Sequence, residues 1–295
     1  MKYSKLHSNG PLAFLGSECE NPSKAKAAVL PIPYEETASY AKGTAEGPAA
    51  IIAASRELEY YDDETGTTPW DAGINTLPEL KPPKNPAKMA QTVQAAVDKI
   101  LSAQQFPVML GGEHSITIGA VRVAKKRFPN LSVLQFDAHA DLRDEYDGSN
   151  YSHACTLRRV IEDGITVAQV GIRSTDRESL EWAQGKTKIF WARNKSNWSA
   201  ADVLAALTHD VYVTFDVDAF DPSIMPATGT PEPGGLLWDE TLAILKPVFS
   251  QKNVVGCDVT ELLPLKEMHA PTFTAAKLVH KMIAYKFERA LRNSK

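Results

Sequence analysis

The chain is poor in the features that mark several large classes of protein. It has three cysteines, Cys19, Cys155 and Cys257, widely spaced and odd in number. That pattern argues against a disulfide framework and for free thiols in a reducing compartment. No stretch approaches the ~18 consecutive apolar residues of a membrane span. The first residues, MKYSKLHSNGPLAF, lack the apolar run of a signal peptide. No lysine- or arginine-rich block marks a nucleic-acid or membrane surface, and the net charge of −4 is modest. Low-complexity segments and internal repeats are also missing. A soluble, cytoplasmic protein with no nucleic-acid or membrane partner is the expectation.

What is present is a regular alternation of β-rich and helical segments. Strands are predicted over 26–32, 106–110, 131–137, 166–172, 188–192, 211–218 and 253–261. Most are almost continuously apolar, as in parallel strands covered on both faces. Asn85 and Pro86 can start a helix whose stripe is Met89, Val93, Val97, Ile100 and Leu101. Further helices begin near Ser115 and near Ser199, where Asp202 completes a capping pattern. A long helix is predicted over 274–292, with Leu278, Met282, Tyr285 and Leu291 inward. The expected class is α/β, a parallel sheet flanked by helices. Only one clear strand precedes the proline-rich stretch 77–86, so 1–295 reads as a single domain.

Three apolar runs end in ionisable residues. GGEHS places His114 after two glycines that allow a tight turn. DAHAD supplies Asp137, His139 and Asp141, and DVDAFD supplies Asp216 and Asp218. A period of two sends alternate side chains to one side of an extended strand. Four carboxylates in one cavity cannot all ionise without compensating cations. Two divalent ions would balance them, and carboxylates with a little imidazole suit Mn²⁺. Two such ions can hold a bridging water and lower its pKa. The other histidines, His7, His209, His269 and His280, read as surface or satisfied core residues.

The segments GGEHS, DAHADLR, SHA and DVDAFDPS resemble the signatures of the ureohydrolase family of arginases and agmatinases. The likeness runs from PIPYEETASYAKGTAEGPAAI to GCDVTELLP, and the agmatinases are the most similar branch. It implies a three-layer α-β-α domain with a central, mainly parallel eight-stranded sheet. It also implies two Mn²⁺ per subunit and a homotrimer or homohexamer. By the same resemblance, one metal takes His114, Asp137, Asp141 and Asp216. The other takes Asp137, His139, Asp216 and Asp218. Asp141, His153 and Glu261 are the implied catalytic residues: His153 as proton carrier, Glu261 as partner of the substrate guanidinium.

The implied reaction hydrolyses a guanidino compound to urea and an amine. The acidic loop LRDEYDGSNYSH, with Asp144, Glu145 and Asp147, suits agmatine, whose far end is a cation. That reaction gives putrescine and belongs to polyamine metabolism. Arg143 beside them would instead favour a carboxylate-bearing substrate. Guanidinobutyrase, guanidinopropionase, arginase, formiminoglutamase and guanidine hydrolase are the alternatives with the same chemistry. A cysteine-dependent amidine enzyme using Cys155 and His153 is a different mechanism. A non-catalytic binding or scaffold subunit is a third class.

Overall fold

The computed structural model describes residues 13–21 and 23–293; the expectations for the N-terminal run and for His7 fall largely outside them. Eight strands form one sheet: β1 (Ala27–Ile32), β2 (Ile74–Thr76), β3 (Phe106–Gly111), β4 (Leu131–Phe136), β5 (Thr166–Ile172), β6 (Thr187–Trp191), β7 (Asp210–Asp216) and β8 (Asn253–Thr260). Their order is β2-β1-β3-β8-β7-β4-β5-β6, and every pairing is parallel. Seven were predicted. The short edge strand β2 was not, because its three residues, one of them buried, are too few to show a period.

The eight helices are α1 (Gly47–Ser55), α2 (Pro86–Ser102), α3 (Thr117–Arg127), α4 (Thr156–Glu162), α5 (Arg177–Ala183), α6 (Ala200–Ala205), α7 (Trp238–Gln251) and α8 (Ala270–Arg292). Their starts follow local chemistry. Asn85 accepts the Lys88 N–H ahead of α2, and Ser199 and Asp202 cap each other at α6. One apolar core joins α1, α6, α7 and α8 to one face of the sheet, and a second joins α2, α3 and α4 to the other. The strands feed both cores by alternation. Leu134 and Phe136 of β4 enter the first, Leu131 and Val133 the second. Three layers result, with a sheet covered on both faces.

The order of strands also makes a crevice. From β4 the chain moves outward to β5, whereas from β7 it moves the other way to β8. The carboxyl ends of these two neighbours therefore diverge, which is where open α/β sheets bind ligands. On the far side of β7 lie β8 and β3, so four adjacent strand ends open onto one place.

Gly111, which ends β3, and Gly112, which follows it, serve close approach rather than a turn. Neither has a positive φ. A Cβ on Gly111 would meet Ile116 at 2.7 Å and Thr260 at 2.8 Å, and one on Gly112 would collide with the Tyr34 carbonyl oxygen. Gly112→Ala is expected to destabilise the chain by about 1–3 kcal/mol, read as a lower denaturation midpoint. Gly229→Ala, where the nearest atom lies at 3.5 Å, should leave the midpoint unchanged.

Candidate metal centre

The strand pleat does not carry the ionisable residues as far as the period of two predicts. β4 ends at Phe136, and Asp137 to Asp141 form a turn. Asp137 builds it: Oδ1 accepts the His139 N–H at 2.6 Å, and Oδ2 accepts Gln135 Nε2 at 2.6 Å. Asp141 sits at φ 52°, a region asparagine and aspartate tolerate best among non-glycine residues. Its carbonyl accepts the N–H groups of Leu157 and Arg158, which ties it to the start of α4. On the neighbouring strand Asp216 is the last β residue, and Val217–Ala219 is a 3-10 turn. Asp218 N–H donates to Asp216 Oδ1 at 2.9 Å, while Asp218 Oδ1 accepts the Ala138 N–H at 2.9 Å. The two strand ends are thereby laced together.

His114 opens a 3-10 turn after β3, and its N–H donates to Glu261 Oε1 at 2.7 Å. Its ring Nδ1 lies 3.0 Å from Asp137 Oδ2, 3.0 Å from Asp141 Oδ2 and 3.6 Å from Asp216 Oδ2. This nitrogen is buried, and none of those contacts is aligned as a hydrogen bond. The opposite nitrogen, Nε2, is 2.7 Å from Thr214 Oγ1, which donates to Asp258 Oδ1 at 2.6 Å. Thr117 and Tyr212 saturate Asp258 Oδ2. That chain assigns a proton to Nε2 and aims the Nδ1 side at the carboxylates. A buried nitrogen facing three carboxylates without an aligned partner is the arrangement a cation would complete.

The second imidazole, His139, has Nδ1 2.9 Å from Asp218 Oδ2 and 3.6 Å from Asp137 Oδ1. Two groups thus have ligand atoms within 4.8 Å of one another: His114, Asp137 and Asp216, and Asp137, His139 and Asp218. They share Asp137. Oxygen-rich sets with one imidazole each fit hard or borderline divalent ions.

The charges respond to this crowding. Burial, then Asp218 and Asp137, holds Asp216 well above the usual carboxylate range. Burial and Asp137 push Asp141 up to about 7. Burial also acts against charge on Asp137, yet His114 and His139 outweigh it and hold that carboxyl low. Burial disfavours a charged His139, but Asp218 and Asp137 overcome it and push the ring up to about 12. Protons here stand where compensating cations would act.

His139, Asp141, Asp216 and Asp218 floor a cavity of about 270 Å³ that His153, Glu261, Arg143, Tyr146, Asp176 and Tyr40 also line; His114 and Asp137 lie behind that floor, in contact with it. All predicted site residues therefore meet in one place. Glu261 has φ 64°, and burial followed by Glu113 raises its carboxyl well above normal. Burial, then the cluster histidines, lowers His153 to about 4 rather than the near-neutral value its proposed work suggests.

The acidic loop is not arranged as expected. Asp144, Glu145 and Asp147 do not line the cavity, and Asp144 turns outward to Arg159 at 2.7 Å. Arg143 does line it, stacked on Tyr146 and 3.6 Å from Asp176. Asp176, which no sequence pattern flagged, is thus the acid of the outer pocket. Arg173 was also missed. Its guanidinium donates to carbonyls of Asp218, Phe220 and Glu232, joining the 221–236 loop to a cluster residue. His280 is a fully buried core residue with Nδ1 4.0 Å from Asp62 Oδ2, and among the described residues neither ring nitrogen has an aligned hydrogen bond.

Comparison with known proteins agrees with this geometry. The model of the arginase family matches residues 25–284. An N(1)-aminopropylagmatine ureohydrolase of Synechocystis sp. is 40% identical over 94% of this chain and 94% of its own. An agmatinase of Pyrococcus horikoshii is 36% identical over 86% of this chain and 90% of its own. The crystal structure of agmatine ureohydrolase of Thermoplasma volcanium superposes with a TM-score of 0.87 at 31% identity, covering 97% and 98% of the two chains. The chain belongs to the arginase family. It is a ureohydrolase, a hydrolase of guanidino compounds, related to agmatinases and aminopropylagmatine ureohydrolases.

Removing the Thr214 hydroxyl should loosen the His114 ring without touching any of the cluster carboxylates. Thr214→Val is expected to weaken Mn²⁺ affinity about 10- to 100-fold, as measured by metal titration of the stripped protein.

Proposed function

We propose that this chain, as a single domain spanning 1–295, is a dinuclear-manganese ureohydrolase that cleaves agmatine to putrescine and urea. The observation that carries the proposal is the pair of ligand groups sharing Asp137 beneath a cavity that Asp216, Asp218, Glu261 and His153 line. His114, Asp137, Asp141 and Asp216 would hold one ion, and Asp137, His139, Asp216 and Asp218 the other. Two bound ions supply an acidified water as nucleophile and neutralise the carboxylates.

The remaining chemistry belongs to the chain. A guanidinium carbon is a weak electrophile, because its positive charge is delocalised, so orientation matters. Glu261 accepts N–H groups of the planar guanidinium and turns its carbon toward the floor of the cavity. One of its oxygens is already braced by the His114 N–H. Addition of water forms a C–O bond, and breaking the C–N bond requires a proton on the departing amine. His153 lines the cavity and is neutral at pH 7, so it can take a proton from the water side and pass it to that nitrogen. Asp176 is the acid available to the remote ammonium, in exchange for Arg143.

A second reading keeps the chemistry and lengthens the substrate to N(1)-aminopropylagmatine, giving spermidine and urea. The Synechocystis relative favours it, and so does Tyr40, 81% exposed at the cavity lip, where a further ammonium could meet its ring. The cysteine mechanism has no support. Cys155 is buried, donates to the Ser149 carbonyl, and burial raises its thiol to about 11. Three buried free thiols suit a reducing cytoplasm. The trimeric or hexameric assembly typical of the family is carried over as part of the same proposal.

Urea release by Mn²⁺-loaded protein from agmatine, N(1)-aminopropylagmatine, L-arginine and 4-guanidinobutyrate tests the reading. One of the first two should lead; a lead by arginine or guanidinobutyrate would sink the cationic remote end. Asp137→Ala should abolish turnover and metal retention together, whereas thiol alkylation should leave activity unchanged. Asp176→Asn is expected to raise KM for agmatine about tenfold, roughly 1.4 kcal/mol of lost pairing, with a smaller effect on kcat.

A further inference from the structure

A buried acid beside the metal cluster has no place in the chemistry above. Glu113 is fully buried, and each hydrogen bond to its carboxylate among the described residues comes from Thr37 or Ser115. Oε1 accepts Ser115 Oγ and Thr37 Oγ1, both at 2.6 Å, and Oε2 accepts the Thr37 N–H at 2.6 Å. Thr37 therefore has its one hydroxyl proton committed to Glu113. Its oxygen can only accept from anything else. Two groups of His153 approach that oxygen: the backbone N–H at 3.0 Å and ring Nδ1 at 3.2 Å.

We propose that Thr37, with its proton fixed by Glu113, is a positioning residue that holds His153 in the Nδ1–H tautomer and so leaves Nε2 as the bare nitrogen of the cavity. The inference rests on the reading of His153 as the proton carrier. A neutral imidazole has one donor and one acceptor nitrogen, and the partner of one decides the state of the other. If Nδ1 were bare, its lone pair would face the Thr37 oxygen, which has no proton left to offer. With Nδ1–H, the contact is a hydrogen bond. Among the described residues no group bonds Nε2, and the side chain lines the cavity. An accepting Nε2 is what taking a proton from the water side requires; the same nitrogen, once protonated, is the donor to the departing amine.

Ser152 is the rival partner, with Oγ 3.3 Å from Nδ1. Its hydroxyl is buried, with Nδ1 as its partner among the described residues, and could accept from the ring or donate to it, so it does not by itself select a tautomer. Thr37 does, because its donor direction is already set. The segment bearing Thr37 is itself braced. Glu35 Oε2 accepts the N–H groups of Gly43 and Ala45 at 2.7 and 2.9 Å, closing the loop that carries Thr37 and Tyr40. Residues 37, 113 and 153 lie far apart in sequence, so the link exists only in the folded chain.

The experiment compares Thr37→Val, Thr37→Ala, Thr37→Ser, Ser152→Ala and His153→Gln in the Mn²⁺-loaded full chain, with agmatine as substrate. Metal content and denaturation midpoint are measured beside kcat and KM. The expected result is a kcat about 10- to 100-fold lower for Thr37→Val and Thr37→Ala, part of the 10²–10⁴ supplied by acid–base catalysis. KM and metal content should stay unchanged. Thr37→Ser should recover most of kcat, and Ser152→Ala should keep it. A kcat within about twofold of wild type in Thr37→Val, with His153→Gln impaired, would overturn the tautomer role alone. Full activity in His153→Gln would instead overturn the proton-carrier reading and this inference with it. Loss of fold or metal in both Thr37→Val and Thr37→Ala would make Thr37 a structural anchor and also overturn the proposal.

Discussion

Mutual repulsion among buried carboxylates is the constraint on which the rest of this structure depends. Asp137, Asp141, Asp216 and Asp218 are each at most 9% exposed and crowd around His114 and His139. Charge of that density in a poorly solvated place is strongly unfavourable unless cations balance it. Imidazoles contribute part of that balance by holding protons, as the raised His139 shows. Divalent ions would contribute the rest and supply the chemistry. The instability of the bare cluster would thus be the source of an affinity for metal.

The fold meets this constraint by placing backbone and polar partners around the cluster. The strand order opens a crevice between β4 and β7, so ionisable side chains collect beyond the core and do not interrupt it. Three of the carboxylates are then fixed by local bonds: Asp137 by His139 and Gln135, Asp218 by Ala138, Asp216 by Asp218. His114 is oriented by the Thr214–Asp258 chain behind it. Asp141 and Glu261 both adopt positive φ, a conformation that persists only where surrounding contacts enforce it. Rigidity of this kind keeps the donors in place for ions that bring their own geometric demands.

Much of the frame was legible because buried parallel strands are continuously apolar. Runs such as 131–137 and 253–261 coincide closely with β4 and β8. The convergence of the candidate donors was legible too, since they lie at or just beyond the ends of three such runs. What misled was extrapolation of the pleat. Asp137, His139 and Asp141 converge through a turn, because side-chain oxygens of Asp137 capture local N–H groups after Phe136. The acids of 144–147 were misplaced for a related reason. Loop composition states charge but not direction, and Asp144 finds Arg159 instead of the cavity. Thr37, Glu113 and Asp176 were not legible in their roles, because those depend on partners that only the folded chain brings near.

The central claim is that this cluster binds two divalent ions and that Asp137 joins them. The most direct measurement is elemental analysis combined with calorimetric titration of Mn²⁺ into stripped protein. Wild type should hold two ions per chain, and Asp137→Ala should lose both, not one. Saturation at one ion per chain, or an Asp137→Ala protein that still holds two, would contradict it.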